Sequence, residues 1–208
     1  IQAAIAHQLG QNDLKGIRVA VQGVGSVGAE LCRLLHESGA SLVVADVNEE
    51  GLKEVVRQYN AETVGVDVIY DADVDFFCPC ALGAILNSET IPRLKASIVA
   101  GAANNQLASP SHDALLSEKG ILYAPDYVIN AGGLINVTYE GPNYNREIAL
   151  KHVDGIFDTL TEVFQRAVER NIPTGQAADE VAEQRFSHPC DNGDYDELMV
   201  SSGRLSGR

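Results

Sequence analysis

Apolar positions along the chain alternate between short continuous runs and helical spacing. In the opening segment, IQAAIAHQLG, Ile1, Ile5 and Leu9 recur on one helical face, and a turn through Gln11–Asp13 and Lys15-Gly16 follows. Ile17–Gln22, IRVAVQ, is rich in β-branched residues and reads as a strand buried on both faces. Helical spacing returns over Ser26–Glu37, with Val27, Leu31, Leu34 and Leu35 as its expected apolar side, and Ser38-Gly39 ends it. A second buried strand, Ser41–Asp46, leads to a helix over Glu49–Tyr59 with Asn48 in the capping position. A short strand is expected near Val66–Tyr70, and the acidic turn Asp71–Asp75 then enters the apolar run Phe76-Phe77-Cys78.

The alternation continues more weakly. Helical stretches are expected around Thr90–Lys95 and Ser111–Lys119, and strands at Ser97–Ala100 and Ile121–Ala124, the latter leading through Pro125-Asp126 to Tyr127–Asn130. From Ala131 onward the pattern is helical. Helices are expected over Ala131–Tyr139, over Arg146–Asn171 with Ile148, Val153, Ile156, Leu160, Val163, Phe164 and Val168 on its apolar face, and from Thr174, as cap, to about Phe186. Residues 187–208 are polar and aperiodic, a loose tail. Strands alternating with helices predict an α/β fold, a doubly wound parallel sheet in residues 1–186, with added C-terminal helices.

Three glycines in VQGVGSVG sharpen that prediction. Gly23, Gly25 and Gly28 are spaced G-x-G-x-x-G between a strand and a helix, the setting of a dinucleotide diphosphate site. Gly23 allows a tight turn, Gly25 lets phosphate oxygens approach the backbone, and Gly28 lets helix and strand pack closely. Val24, Ser26 and Val27 complete the loop, and the free N–H groups of the helix face the phosphates. Asp46, with Val47 beside it, lies 18 residues past Gly28 at a strand end, where a carboxylate accepts from ribose hydroxyls and repels a 2′-phosphate. NAD is therefore expected rather than NADP. Small or polar residues gather at the other predicted strand ends: Cys80–Gly83, Gly101–Asn105 and Asn130–Gly133. They outline one crevice with the glycine turn.

Composition narrows the partners. Fifteen basic residues against 29 acidic ones give a formal charge of −14, ill suited to nucleic acid or anionic lipid. No apolar run approaches the roughly 20 residues that span a membrane, and a cytoplasmic location is expected. Cys32, Cys78, Cys80 and Cys190 are scattered, the five histidines match no ligand spacing, and reduced thiols without a metal are expected. The chain opens at Ile1 inside a helical pattern, as expected of a piece of a longer protein.

The order GVGSVG, VVAD, CPCALG, GAANNQL, YAPDYVINAGGLINV, YNRE and DTLTEVFQRA resembles the cofactor domain of the amino-acid dehydrogenases, the family of glutamate, leucine, valine and phenylalanine dehydrogenases. The resemblance covers about Ile1–Phe186, and GAANNQL and YVINAGGLINV are most similar to its leucine dehydrogenase branch. It implies a C-terminal NAD-binding domain serving oxidative deamination of an L-amino acid, a branched-chain one such as leucine, to the 2-oxo acid and ammonia. In that likeness Cys80, Ala81 and Asn104 lie near the nicotinamide ribose, and Asn104 and Asn130 reach the nicotinamide or the substrate. Leu134 and Val137 match side-chain pocket positions. The resemblance also implies a homo-oligomer and closure of a cleft between two domains, with the helices after Ala131 as candidates for the connection back to the first domain.

The family's catalytic lysine, in a Gly-Gly-Gly-Lys type motif, and its catalytic aspartate belong to an N-terminal domain. None of Lys15, Lys53, Lys95, Lys119 and Lys151 has such a setting, and all read as turn or helix-surface residues. No catalytic residue is therefore expected in this chain, which alone should not turn over substrate. The alternatives are phenylalanine, valine or glutamate specificity, a non-catalytic dinucleotide sensor, and an S-adenosylmethionine methyltransferase, which also uses a Gly-rich turn.

Overall fold

In the computed structural model, which describes residues 1–142 and 144–187, continuous apolar runs become the strands of one sheet. The strands are β1 (Arg18–Gln22), β2 (Ser41–Ala45), β3 (Glu62–Thr63), β4 (Phe76–Pro79), β5 (Ile98–Val99) and β6 (Leu122–Tyr123). All pair in parallel, in the order β3-β2-β1-β4-β5-β6. This is the doubly wound dinucleotide-binding order, whose direction of winding reverses between β1 and β4.

Period-two alternation divides each run between two cores. Val19, Val21, Leu42, Val44, Phe76, Cys78 and Ile98 join one cluster, and Ala20, Val43, Ala45, Phe77, Val99 and Tyr123 the other. Helices α1 (Gln2–Leu9), α2 (Ser26–Glu37), α3 (Glu49–Tyr59), α7 (Arg146–Arg170) and α8 (Thr174–Ser187) supply the first cluster. The second is closed by α4 (Ser111–Glu118) and by two 3-10 turns, Ile69–Asp71 and Ile91–Arg93. Two further helices, α5 (Asp126–Ile129) and α6 (Ala131–Thr138), pack with α7, which also holds α1 and α8.

Local chemistry explains the sharpest boundaries. Asn48 Oδ1 accepts from the N–H groups of Glu50 and Gly51 and starts α3, and Asn145 does the same for α7. Asn60 and Asn171 end those helices in the left-handed conformation, each with φ 51°.

Several expectations are corrected. Val66–Tyr70 is not a strand: the edge beside β2 is taken by Glu62–Thr63, Ile69 and Tyr70 turn into the core, and Val66 and Val68 stay exposed. Thr90–Lys95 forms only a 3-10 turn, since its short span lies between two apolar anchors, Ile91 and Leu94. Tyr127–Asn130 belongs to α5 and its C-cap, so Asn130 stands at a helix junction rather than a strand end. In α2 the buried side is Gly28, Cys32 and Leu35, whereas Val27 and Leu34 are exposed. The predicted tail lies outside the described residues apart from Ser187, as does Cys190. Among the described residues, no helix is long and apolar enough to cross a membrane.

Candidate functional site

The carboxyl ends of β1 and β4, the switch point, place the glycine turn against the segment after β4. Gly23 has φ +98°, and a Cβ there would lie 2.7 Å from Ala81 Cβ and 2.9 Å from Ala81 N. A Cβ on Gly28 would run into the Gly23 carbonyl oxygen and press on Cys80 Cβ at 3.3 Å. Both glycines are therefore required by the protein's own packing. Gly25 differs: a Cβ there would meet nothing within 4 Å. Gly25 is the N-cap of α2, and among the described residues no side chain caps that helix. Its first N–H groups and positive dipole end are left for an anion.

Asp46 follows β2 and ties this turn down. Its Oδ2 accepts from the Val24 N–H at 2.6 Å and its Oδ1 from the Asn48 N–H at 2.8 Å. Each carboxylate oxygen retains lone-pair capacity for a hydroxyl. Val47, beside it, is 87% exposed.

The other side of the crevice is built from loops. Ala103 N–H donates to Pro79 O at 2.9 Å, extending the β4–β5 contact beyond the strands. Asn130 Nδ2 lies within hydrogen-bond distance of Ala102 O, Ala103 O and Asn104 Oδ1, at 2.9, 3.1 and 3.1 Å. The two predicted asparagines thus meet. Asn105, by contrast, is a turn former with φ 51°, and its carbonyl accepts from Ala84 N–H. Cys80 is partly buried; burial pushes its thiol above the usual range, while a backbone hydrogen bond from Ala102 works in the opposite sense. Burial pushes the Cys32 thiol up to about 12 and Cys78 well up, so both are inert packing thiols. Cys32, Cys78 and Cys80 are unpaired.

Leu134 and Val137 are 71% and 56% exposed on α6. The residue between them, Ile135, instead lines a cavity of about 470 Å³ with Val128, Ile156 and Val181. Among the described residues, nothing closes over Leu134 and Val137 as a pocket would.

The comparisons with known proteins identify the family. A model of the glutamate/leucine/phenylalanine/valine dehydrogenases matches residues 44–184. The chain belongs to that family. It is 54% identical over 186 residues to leucine dehydrogenase from Thermoactinomyces intermedius, covering 89% of this chain and 51% of that protein. The solved structure of L-tryptophan dehydrogenase from Nostoc punctiforme superposes with a TM-score of 0.88 at 51% identity, over 90% of this chain and 57% of that one. A hetero-hexameric glutamate dehydrogenase from Thermus thermophilus, a leucine-bound form, gives 0.64 at 25% identity, over 88% and 48%. The chain spans about half the length of the curated relatives it matches.

Three residues of this dehydrogenase-family chain do work that its sequence did not disclose. Gln106 is fully buried and reaches back to the loop after β5. Asp113, on α4, caps α8 in place of Thr174: its Oδ2 accepts from the N–H groups of Gly175 and Gln176 at 2.8 and 3.3 Å. Thr174 Oγ1 donates to Tyr123 O instead. Lys119 is not a free surface lysine. Its Nζ donates to the carbonyls of Ile91, Pro92 and Leu94 at 2.9, 2.6 and 2.6 Å, and desolvation lowers its pKa. Fully engaged with backbone, it holds the 3-10 turn rather than a reacting carbonyl. Among the described residues, no three His, Cys, Asp or Glu side chains are grouped to hold a metal.

Proposed function

We propose that this chain is the NAD-holding, C-terminal half of an L-amino-acid dehydrogenase that deaminates a branched-chain amino acid such as leucine. The observation that carries the proposal is the uncapped N-terminus of α2 behind Gly25, where a side chain would have open space, while Gly23 and Gly28 are forced by packing. The turn therefore fits a diphosphate. Gly23–Gly28 would hold it through N–H groups, with Asp46 and Val47 at the adenosine ribose. Cys80, Ala81, Asn104 and Asn130 would border the nicotinamide ribose and the substrate. A bound nicotinamide supplies the hydride-accepting function for oxidation of the amino acid to 2-oxo acid and ammonia.

The chain's own contribution is position. The Asp46 carboxylate fixes the glycine turn and disfavours a 2′-phosphate, and Asn130 orients Asn104. The acid and base, a lysine and an aspartate, come in this proposal from the length of the relatives that the chain does not span, so the 208-residue chain binds cofactor without turnover. Full-length assemblies are proposed to be homo-oligomers with an amino-acid substrate. Leu134 and Val137, exposed here, would line the aliphatic pocket once that other half is in place. The L-tryptophan dehydrogenase likeness supports an aromatic substrate as the second specificity.

Titration of the chain with NADH and NADPH, followed by nucleotide fluorescence, tests the site: NADH binds and NADPH does not. Preference for NADPH would remove the Asp46 assignment. An upstream-extended protein should reduce NAD fastest with leucine among leucine, valine, phenylalanine, tryptophan and glutamate. If it binds NADH yet oxidises none of them, a dinucleotide sensor is the better reading.

A further inference from the structure

Gln106 has no access to solvent, yet it carries a primary amide. A buried amide is retained at little cost only where its hydrogen bonds are made. Its Nε2 donates to Gly101 O at 2.8 Å and to Ala103 O at 2.9 Å. Its backbone N–H donates to Asp126 Oδ2 at 3.1 Å, and its carbonyl accepts from Leu86 N–H at 2.9 Å. One residue thus joins the loop after β5, the start of α5 and the segment after β4. Its Oε1 is buried without a hydrogen-bond partner among the described residues. Asn130 takes Ala102 O and shares Ala103 O. The carbonyls of Gly101, Ala102 and Ala103 are consequently all held by two side-chain amides. With the loop so fixed, Asn104 Oδ1 lies 3.1 Å from Asn130 Nδ2.

We propose that Gln106 is a positioning residue for the nicotinamide end of the cofactor: it sets the path of residues 101–103 and through them the direction of the Asn104 amide. This rests on the dinucleotide reading of the crevice. Gln106 touches neither the glycine turn nor Asp46, so its influence should be confined to one end of the ligand. Only Gln at this size supplies two N–H donors. Glutamate keeps the shape but opposes carboxylate oxygens to the carbonyls of Gly101 and Ala103, and methionine keeps the length with no donor.

The test compares NADH with ADP-ribose, which carries the adenosine and diphosphate but no nicotinamide. Binding to the 208-residue chain, to Gln106→Glu and to Gln106→Met is measured by calorimetry, with circular dichroism and melting of each protein alongside. In both variants the NADH affinity should fall by about tenfold or more, the scale of one or two lost buried hydrogen bonds, while ADP-ribose affinity changes less than about twofold. A variant that binds NADH as the parent does, or that loses both ligands together or fails to fold, assigns Gln106 to the fold alone and overturns the proposal. If the parent chain itself binds neither ligand, the dinucleotide reading of the crevice fails first, and separately.

Discussion

The two halves of the sheet hold their ends of the crevice by different means. Around β1–β3, the glycine turn is shaped by backbone contact: Gly23 and Gly28 allow approaches that a methyl group would block, and a whole helix, α2, springs from the turn. Around β4–β6, the loop after β5 is held by the side-chain amides of Gln106 and Asn130. Steric exclusion tolerates almost no substitution, because a clash between backbone atoms cannot relax without moving the strand. An amide clamp is weaker and can fail gradually.

The largest expected effect follows directly. Gly28→Ala places a methyl group against the Gly23 carbonyl and should cost more than about 2 kcal/mol in folding stability, the scale of overpacking in a well-packed core. NADH binding should be lost even where the variant folds. Gly25→Ala, with open space on the protein side, should melt within a few degrees of the parent and still lose NADH. Equal melting losses in the two variants would erase the distinction between a glycine kept for packing and one kept for ligand approach.

Asp46→Ala comes next, because it breaks the side-chain hydrogen bond that joins the residue after β2 to the glycine turn. The Val24 N–H, a part-buried donor, loses its partner, at about 1–3 kcal/mol. NADH affinity should fall at least tenfold, and NADPH affinity, expected to be low in the parent, should change less. A variant that gains NADPH affinity with an unaltered melting temperature would make Asp46 a discriminator only, with no share in holding the turn.

The same contrast explains what could be read from the chain. The β1–α2–β2–α3 segment was legible almost to the residue because its signals are local: β-branched runs, Asn48 two and three residues before the N–H groups it caps, and glycines whose spacing encodes contact with the next element. That Asn104 and Asn130 meet was legible as a gathering at strand ends, although Asn130 turned out to sit between helices. The run Val66–Tyr70 misled because apolar content does not say whether an edge position is already taken, here by Glu62–Thr63. Gln106 was invisible because its partners are backbone carbonyls, identical in every sequence until a turn aims them. Asp113 was invisible for a different reason: the N–H groups it accepts lie 62 and 63 residues further on.

Asp113 carries the smallest expected effect and the one with a definite sign in pH. Burial raises its pKa, against the opposing pull of the Gly175 and Gln176 N–H groups, with Asp179 adding to the rise. A carboxyl with a raised folded pKa binds more protons in the folded than in the unfolded chain between its ordinary value, 3.8, and the raised one. Its favourable contribution is therefore complete below the ordinary value and is lost as pH rises through the folded value. Asp113→Asn keeps an acceptor for Gly175 N–H but cannot ionise, so it escapes that loss. Melting temperatures of parent and variant, recorded from about pH 4 to neutrality, should differ by amounts equivalent to about 1 kcal/mol or less, the size of a helix cap. The difference should move in favour of the variant as pH rises. Movement in the opposite direction would mean that the ionised carboxylate, drawn to the N-terminus of α8, outweighs its burial. The α4–α8 junction would then be held by charge, and would resemble neither the glycine turn nor the amide clamp.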